Sequence, residues 1–188
     1  TFDQTGGQTL AVTSATTTDG AIAITNAGVN LTATLVTAAD AGADATHNVT
    51  LTTTTSGDVI VGAVTADNAA NITATAGAIT LLQASDNTAN IVAITANLDA
   101  ATGIGTGANG ALDVTATSIS ADLTGNGNID IDSLALAGVT ATSLAANVGS
   151  ITFDQTGGQT LAVTSATPTD GAIAITNAGA NLTATLVT

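Results

Sequence analysis

The chain has 188 residues, of which 14 are acidic (all Asp) and one is His; with neither Lys nor Arg its formal net charge is −14 at pH 7. The missing cations exclude nucleic-acid binding and polybasic attachment to anionic lipid, both of which neutralise phosphate with Lys or Arg. Without Cys there is no disulfide, thiolate zinc site or thiol catalysis, and no run of about 18 apolar residues offers a membrane-spanning helix.

What remains can bury a thin core. Hydrophobic residues make up 45% and mean hydropathy is +0.47, while only 7% of residues are charged; disordered chains show the reverse. Aromatic residues are 1%, so the core falls to Ala, Val, Ile and Leu. Glu, Lys, Arg and Met are missing and β-branched residues are plentiful, which favours strands over helices.

Short alternating segments recur along the chain between Gly, Asn and Asp. Residues 20–25 (GAIAIT) come first and residues 31–34 (LTAT) next. The single His follows in Asp40-Ala-Gly-Ala-Asp44-Ala-Thr-His47-Asn, a loop-like stretch. Segments 57–61, 72–75, 77–81, 114–117, 128–132, 139–142, 149–153 and 182–185 continue the series. Where an aliphatic residue precedes Thr-Ala-Thr, alternation puts the aliphatic residue and Ala on one face and both Thr on the other. These Thr-Ala-Thr segments start 41, 42, 25 and 43 residues apart; Gly57 and Gly77 are 20 apart, Gly149 and Gly171 are 22 apart. Such spacing predicts coils of about 21 residues, two per long interval.

Late in the chain the beginning returns. Residues 152–188 match residues 1–37 at 35 of 37 positions, and only Thr17/Pro168 and Val29/Ala180 differ. The sequence reads as one complete unit, 1–151, followed by the start of the next, 152–188, cut from a longer tandem array. Because Pro has no N–H, position 17/168 is expected in a turn. Position 29/180, within Asn-Ala-Gly-x-Asn, is expected in another.

Small inward residues suit a narrow wound lumen better than the thick core of a sandwich. The expected fold is all-β: a parallel β-solenoid of about seven or eight coils per unit, with a tandem array of Ig-like β-sandwiches as the alternative. Like side chains stack in register in a solenoid, so a column of Asp would repel itself. The Asp residues are therefore expected in scattered settings, with no ion pair between side chains.

The segments GAIAITNAG, GAITLLQA, NIDIDSLALAGVTATSLAANVGSITF and GGQTLAVTSA resemble coils of filamentous-haemagglutinin-type exoproteins and autotransporter passenger domains, which are large bacterial β-helix proteins. The resemblance is compositional and covers most of the chain. It implies an extracellular or cell-surface setting, in bacteria, and a structural role as fibre, sheath or adhesin stalk. The partners it implies are neighbouring repeats of the same protein, end to end and side by side. The chain departs from the family in lacking Lys and Arg, and no position matches its secretion-signal or receptor-binding regions.

Chemistry-bearing residues are few. Asp130 and Asp132, two apart, share one strand face. They are the candidate Ca²⁺ ligands, because hard cations take oxygen donors; the competing reading is a solvated face over Ile129 and Ile131. The full calcium nonapeptide is absent, and no cofactor is required. His47 with Asp44 reads either as a metal ligand or base, or as a polar loop residue. An enzyme is not expected: lyases of similar fold use Arg or Lys, hydrolases use paired carboxylates, and no Gly-x-Ser-x-Gly occurs. Thr-x-Thr on a flat face resembles ice-binding surfaces, which makes an ice-binding or calcium-dependent adhesive module the alternative function. Asn30, Asn48, Asn71 and Asn181 each open a glycosylation sequon, a pattern that chance supplies in a chain this rich in Asn and Thr.

Overall fold

A computed structural model of the chain describes residues 1–39, 46–84 and 87–188. These hold twenty strands and no helix. The first are β1 (Phe2–Gln4), β2 (Leu10–Val12), β3 (Ala15–Thr17), β4 (Ile22–Asn26) and β5 (Leu31–Ala38). Next come β6 (Val49–Thr53), β7 (Val59–Ala66), β8 (Ala69–Ala74), β9 (Ala78–Leu81) and β10 (Ile91–Val92). There follow β11 (Thr95–Ala100), β12 (Gly103–Ile104), β13 (Leu112–Thr115), β14 (Ser118–Leu123) and β15 (Ile129–Ser133). The last are β16 (Val139–Val148), β17 (Ile151–Gln155), β18 (Leu161–Asp170), β19 (Ile173–Asn177) and β20 (Leu182–Val187).

The chain is a parallel β-solenoid. Nine strands form one sheet in the order β1-β4-β6-β8-β11-β14-β16-β18-β20, and the other strands form a second sheet on the opposite side of the lumen. Every pairing between these strands is parallel. Parallel neighbours need a crossover between them, and here each crossover is a pass through the other sheet. The tandem-sandwich alternative fails on this point, since sandwiches are built from antiparallel strands.

Each coil has a straight side and a bent side. β4 and β6 are straight, with Ile24 and Leu51 pointing inward one above the other. β5 is bent: Leu31 and Ala33 point inward, Thr34 and Leu35 are exposed at the corner, and Val36 and Ala38 point inward again. Inward side chains form columns such as Ile24-Leu51-Ile72-Leu98, spaced by about 4.8 Å. Burying each such Leu or Ile contributes about 2 kcal/mol, and the thin lumen leaves room for little else.

The two copies of the repeat sit on opposite sides. β1 and β4 lie in the nine-stranded sheet, whereas their equivalents β17 and β19 lie in the other. β2 and β5 are exchanged with β18 and β20 in the same way. Local register is nonetheless kept: Phe2 pairs with Ile24 as Phe153 does with Ile175, and Leu10 with Leu31 as Leu161 does with Leu182. From β1 to β16 the nine-stranded sheet advances six coils, and β17 follows half a coil later. The 151-residue unit thus takes six and a half coils, close to the expected seven or eight. The pairs Ile24–Leu51 and Ile72–Leu98 span 27 and 26 residues, whereas Leu51–Ile72 between them spans 21.

The exchange of sides takes place in the second half of the unit. β12 and β13 both pair with the single straight β15, through Ile104–Ile129 and Leu112–Ile131. Across the lumen, β14 meets the bent β16 with a register shift between Ile119 and Ser120. One side straightens where the other acquires a corner.

The two variable positions behave differently. Val29 lies in the turn between β4 and β5, as expected. Thr17 closes β3, and its hydroxyl accepts the Asp19 N–H at 3.2 Å. Pro168 corrects the expected turn, because it lies within β18 opposite Ala146. Extended backbone accommodates Pro where one flank needs no N–H, and beyond Ala166 β18 pairs only with β16 among the described residues.

Candidate functional site

Asp130 and Asp132 point outward from β15, while Ile129, Ile131 and Ser133 are fully buried behind them. Coil spacing then brings further acids alongside. Asp132 is in register with Asp113 on one side and Asp154 on the other. In the opposite sheet Asp99 is in register with Asp122. The expected scatter of Asp is therefore corrected: three carboxylates form a column and two form a pair. The sequence interval from 113 to 132 looks unlike a coil, and only the local straightening at β15 aligns them.

Hydroxyls dilute this charge. Asp122 accepts from Ser143 Oγ at 2.6 Å, and Asp154 accepts from Thr176 Oγ1. Asp130 has Thr152 as its register partner. Partial burial, together with the neighbouring Asp113, Asp154 and Asp130, still raises the pKa of Asp132. Burial and Asp154 raise that of Asp130, and burial and Asp122 raise that of Asp99. Beside Asp130 lies a cavity of about 260 Å³ lined by Gly105, Thr106, Asn128 and Thr152. Asp132 and Asp154 are half-buried and Asp113 is fully buried, and the column is not a closed cage. Among the described residues no three His or Asp side chains converge on a point that a metal ion could share.

His47 is a bridge between coils. Its side chain is 5% exposed, with Nδ1 at 3.1 Å from Asp67 Oδ2 and Nε2 at 3.5 Å from Asp19 Oδ1. The expectation of no ion pair between side chains is corrected by this geometry: when the ring is protonated it pairs with carboxylates from the coils before and after it. Asp44, the partner expected from the sequence, lies outside the described residues.

The sequence reading overlooked a set of buried polar residues at strand ends. Asn26, Thr53 and Gln155 point into the lumen, each 1% exposed or less. Asn26 Nδ2 donates to Asn30 O at 2.8 Å, and its Oδ1 accepts the Gly28 N–H at 3.0 Å. Thr53 Oγ1 donates to Gly57 O, and Gln155 spans Ala135 O and the Gly157 N–H. They close the turn where the chain leaves the straight side. The signal was present as a strand ending in Asn or Gln with Gly two residues on, at Asn26, Gln155 and Asn177.

Thr-Ala-Thr marks corners and does not build a flat lattice. At Thr117 and Thr142 the second hydroxyl donates to a carbonyl one coil earlier, Ile94 O and Ile119 O, at 3.1 Å each. The outward columns of the nine-stranded sheet are mixed: Thr50, Asn71, Asn97 and Ser120 in one, Thr52, Thr73, Asp99 and Asp122 in the other. Three of the sequon Asn side chains are engaged. Asn30 accepts from the Asp58 N–H, Asn48 from Asn68 Nδ2, and Asn71 from Asn97 Nδ2.

A cavity of about 450 Å³ lies at the mouth of the lumen by β1 and β2, lined by Phe2, Leu10, Val12, Ala15, Ile22 and Ile24. Among the described residues no helix is long and apolar enough to cross a membrane. Comparison with protein-family models, curated proteins and solved structures finds no match to this chain.

Proposed function

We propose that the chain is a structural repeat of a large secreted or cell-surface protein, and that its continuous β-stacking forms a fibre, sheath or adhesin stalk. The observation that carries this reading is the seam between the two copies. β15 pairs with β17 and β16 with β18 across residue 151, with no break in the backbone ladders or in the inward columns. Consecutive units therefore share one lumen. Such a rod transmits load through many parallel hydrogen bonds, and the absence of Lys and Arg leaves it no trypsin sites. No catalytic role is assigned to any residue in this reading.

Electron microscopy of arrays of increasing copy number tests it. The expected result is a rod of constant width that lengthens by about 31 Å per unit, at about 4.8 Å per coil. Globules joined by thin linkers, or glycan turnover by the purified chain, would overturn it. A calcium-dependent adhesive role draws on the Asp113-Asp132-Asp154 column, and a fall in melting temperature on adding EDTA is its measurement. Thermal hysteresis would instead favour the ice-binding alternative, for which the mixed outer columns offer little.

A further inference from the structure

The second copy of the repeat is turned over relative to the first because the unit makes an odd number of passes. Before β17, the described strands pass seven times through the nine-stranded sheet and six times through the other. Two strands on either side of a corner, such as β12 and β13, make one such pass. These half-coils bring the chain to the start of the second copy on the side opposite to the start of the first. The reversal is visible from outside, because only the bent passes carry a corner.

Through most of the first unit the corners stack on the side of the second sheet. β5 exposes Thr34 and Leu35 at its corner, and Gly62 of β7 sits so close that a Cβ there would lie 2.4 Å from Thr34 O. β9 and β10 pair with the two arms of β7, through Val61–Leu81 and Val64–Ile91. β12 and β13 continue those arms, through Ile79–Ile104 and Ile91–Val114. Residues 105–111 therefore stand at the same corner one coil further on, and Asn109 Nδ2 donates back to Leu81 O at 2.8 Å. Together these corners form a ridge. In the second copy the ridge has crossed over. Thr164 is exposed at the corner of β18 in the nine-stranded sheet, next to Thr142 at the corner of β16, between the register pairs Ala141–Val163 and Leu144–Ala166. Thr13, the equivalent of Thr164, stands between β2 and β3 in the other sheet.

From this crossing we infer that a tandem array of the unit is two-sided: the corner ridge changes flank at every unit, and the axial repeat is two units instead of one. The rise per unit is about 31 Å and the repeat is about 62 Å. The corner loop 105–111, the cavity beside Asp130 and the column of Asp113, Asp132 and Asp154 then recur on both flanks, staggered by one unit. A fixed rotation per repeat is general in solenoids. Half a revolution is the value that presents equal surfaces to both flanks, which suits side-by-side copies of the same array better than a partner held along one edge. The two-sided array deepens the fibre reading and rests on it for the presence of further units.

Gold labelling of covalent arrays provides the test. The chain has no Cys and Ala108 is exposed in the corner loop, so Ala108→Cys places one thiol per unit for a maleimide gold cluster. In electron tomograms of arrays of several units, the labels are expected in two rows on opposite flanks, about 62 Å apart within a row and staggered by about 31 Å. Helical averaging of unlabelled rods needs no variant, and a half-revolution screw with a rise of about 31 Å is expected. A single row of labels about 31 Å apart, or an unlabelled rod that repeats at every unit without rotation, would overturn the alternation and leave the fibre reading standing. Globules on thin linkers would overturn both.

Discussion

Duplicate residues in unlike surroundings make the residue scale unusually informative. Phe2 and Phe153 have the same neighbours in sequence, yet only Phe153 has coils on both sides. Phe153→Ala is expected to cost about 4 kcal/mol, the usual range for emptying a packed site. In the 188-residue chain Phe2 is 53% exposed, and Phe2→Ala is expected to cost under about 1 kcal/mol; urea denaturation of the two variants compares them directly. The acidic column gives a prediction of opposite sign. Asp132 stands between Asp113 and Asp154, so Asp132→Asn removes two like-charge contacts. Solvent screens such contacts, and the expected gain is about 0.5 kcal/mol. Thermal melts should show that gain at pH 7 and lose it once the carboxylates are protonated.

At the scale of the element, the bends are held by close approach of backbones. Gly149 has φ +151, and a Cβ there would lie 1.9 Å from Gly127 O, one coil earlier. Its own carbonyl would in turn be 2.1 Å from a Cβ on Gly171. Gly149→Ala is therefore expected to cost at least about 2 kcal/mol. Gly6→Ala, which meets only Gln4 Nε2 at 3.7 Å, should stay within about 0.5 kcal/mol of wild type. Chemical denaturation of both variants checks the contrast. The interval of 22 residues between Gly149 and Gly171 was visible in the sequence. Its cause, a glycine stacked on a glycine at the entry to a straight strand, appears only when coils are superposed.

For the whole molecule, charge sets the response to pH. Fourteen Asp face one His and no Lys or Arg, so self-repulsion opposes the compact state at neutral pH. Asp99, Asp130 and Asp132 have pKa values raised above the usual 3.8, chiefly by burial and then by neighbouring Asp. An acid whose folded pKa exceeds its unfolded one favours the folded state as protons bind. That stability is fully present below the unfolded pKa and is lost as pH rises through the folded one. The urea midpoint is thus expected to rise as pH falls from 7 towards about 4, the reverse of ordinary acid denaturation. A midpoint that falls across this range would count against the carboxylate columns.

Composition, alternation and the match at 35 of 37 positions between the two copies were enough to read strands and inward faces and to favour a wound parallel stack over a tandem sandwich, because these depend on local periodicity and on side chains too small for a thick core. The lumen-facing residues Leu31, Ala33, Ile72 and Ala74 could be read off their Thr-Ala-Thr segments for that reason. Three-dimensional closure decided the rest. Which Asp stands beside which, the reach of His47 to Asp19 and Asp67, and the strand setting of Pro168 all depend on how many residues separate register partners, and that number varies from 19 (Leu112–Ile131) to 28 (Leu31–Val59). The half-coil remainder that turns one copy against the next is the sum of those lengths, and no single segment of the sequence displays it.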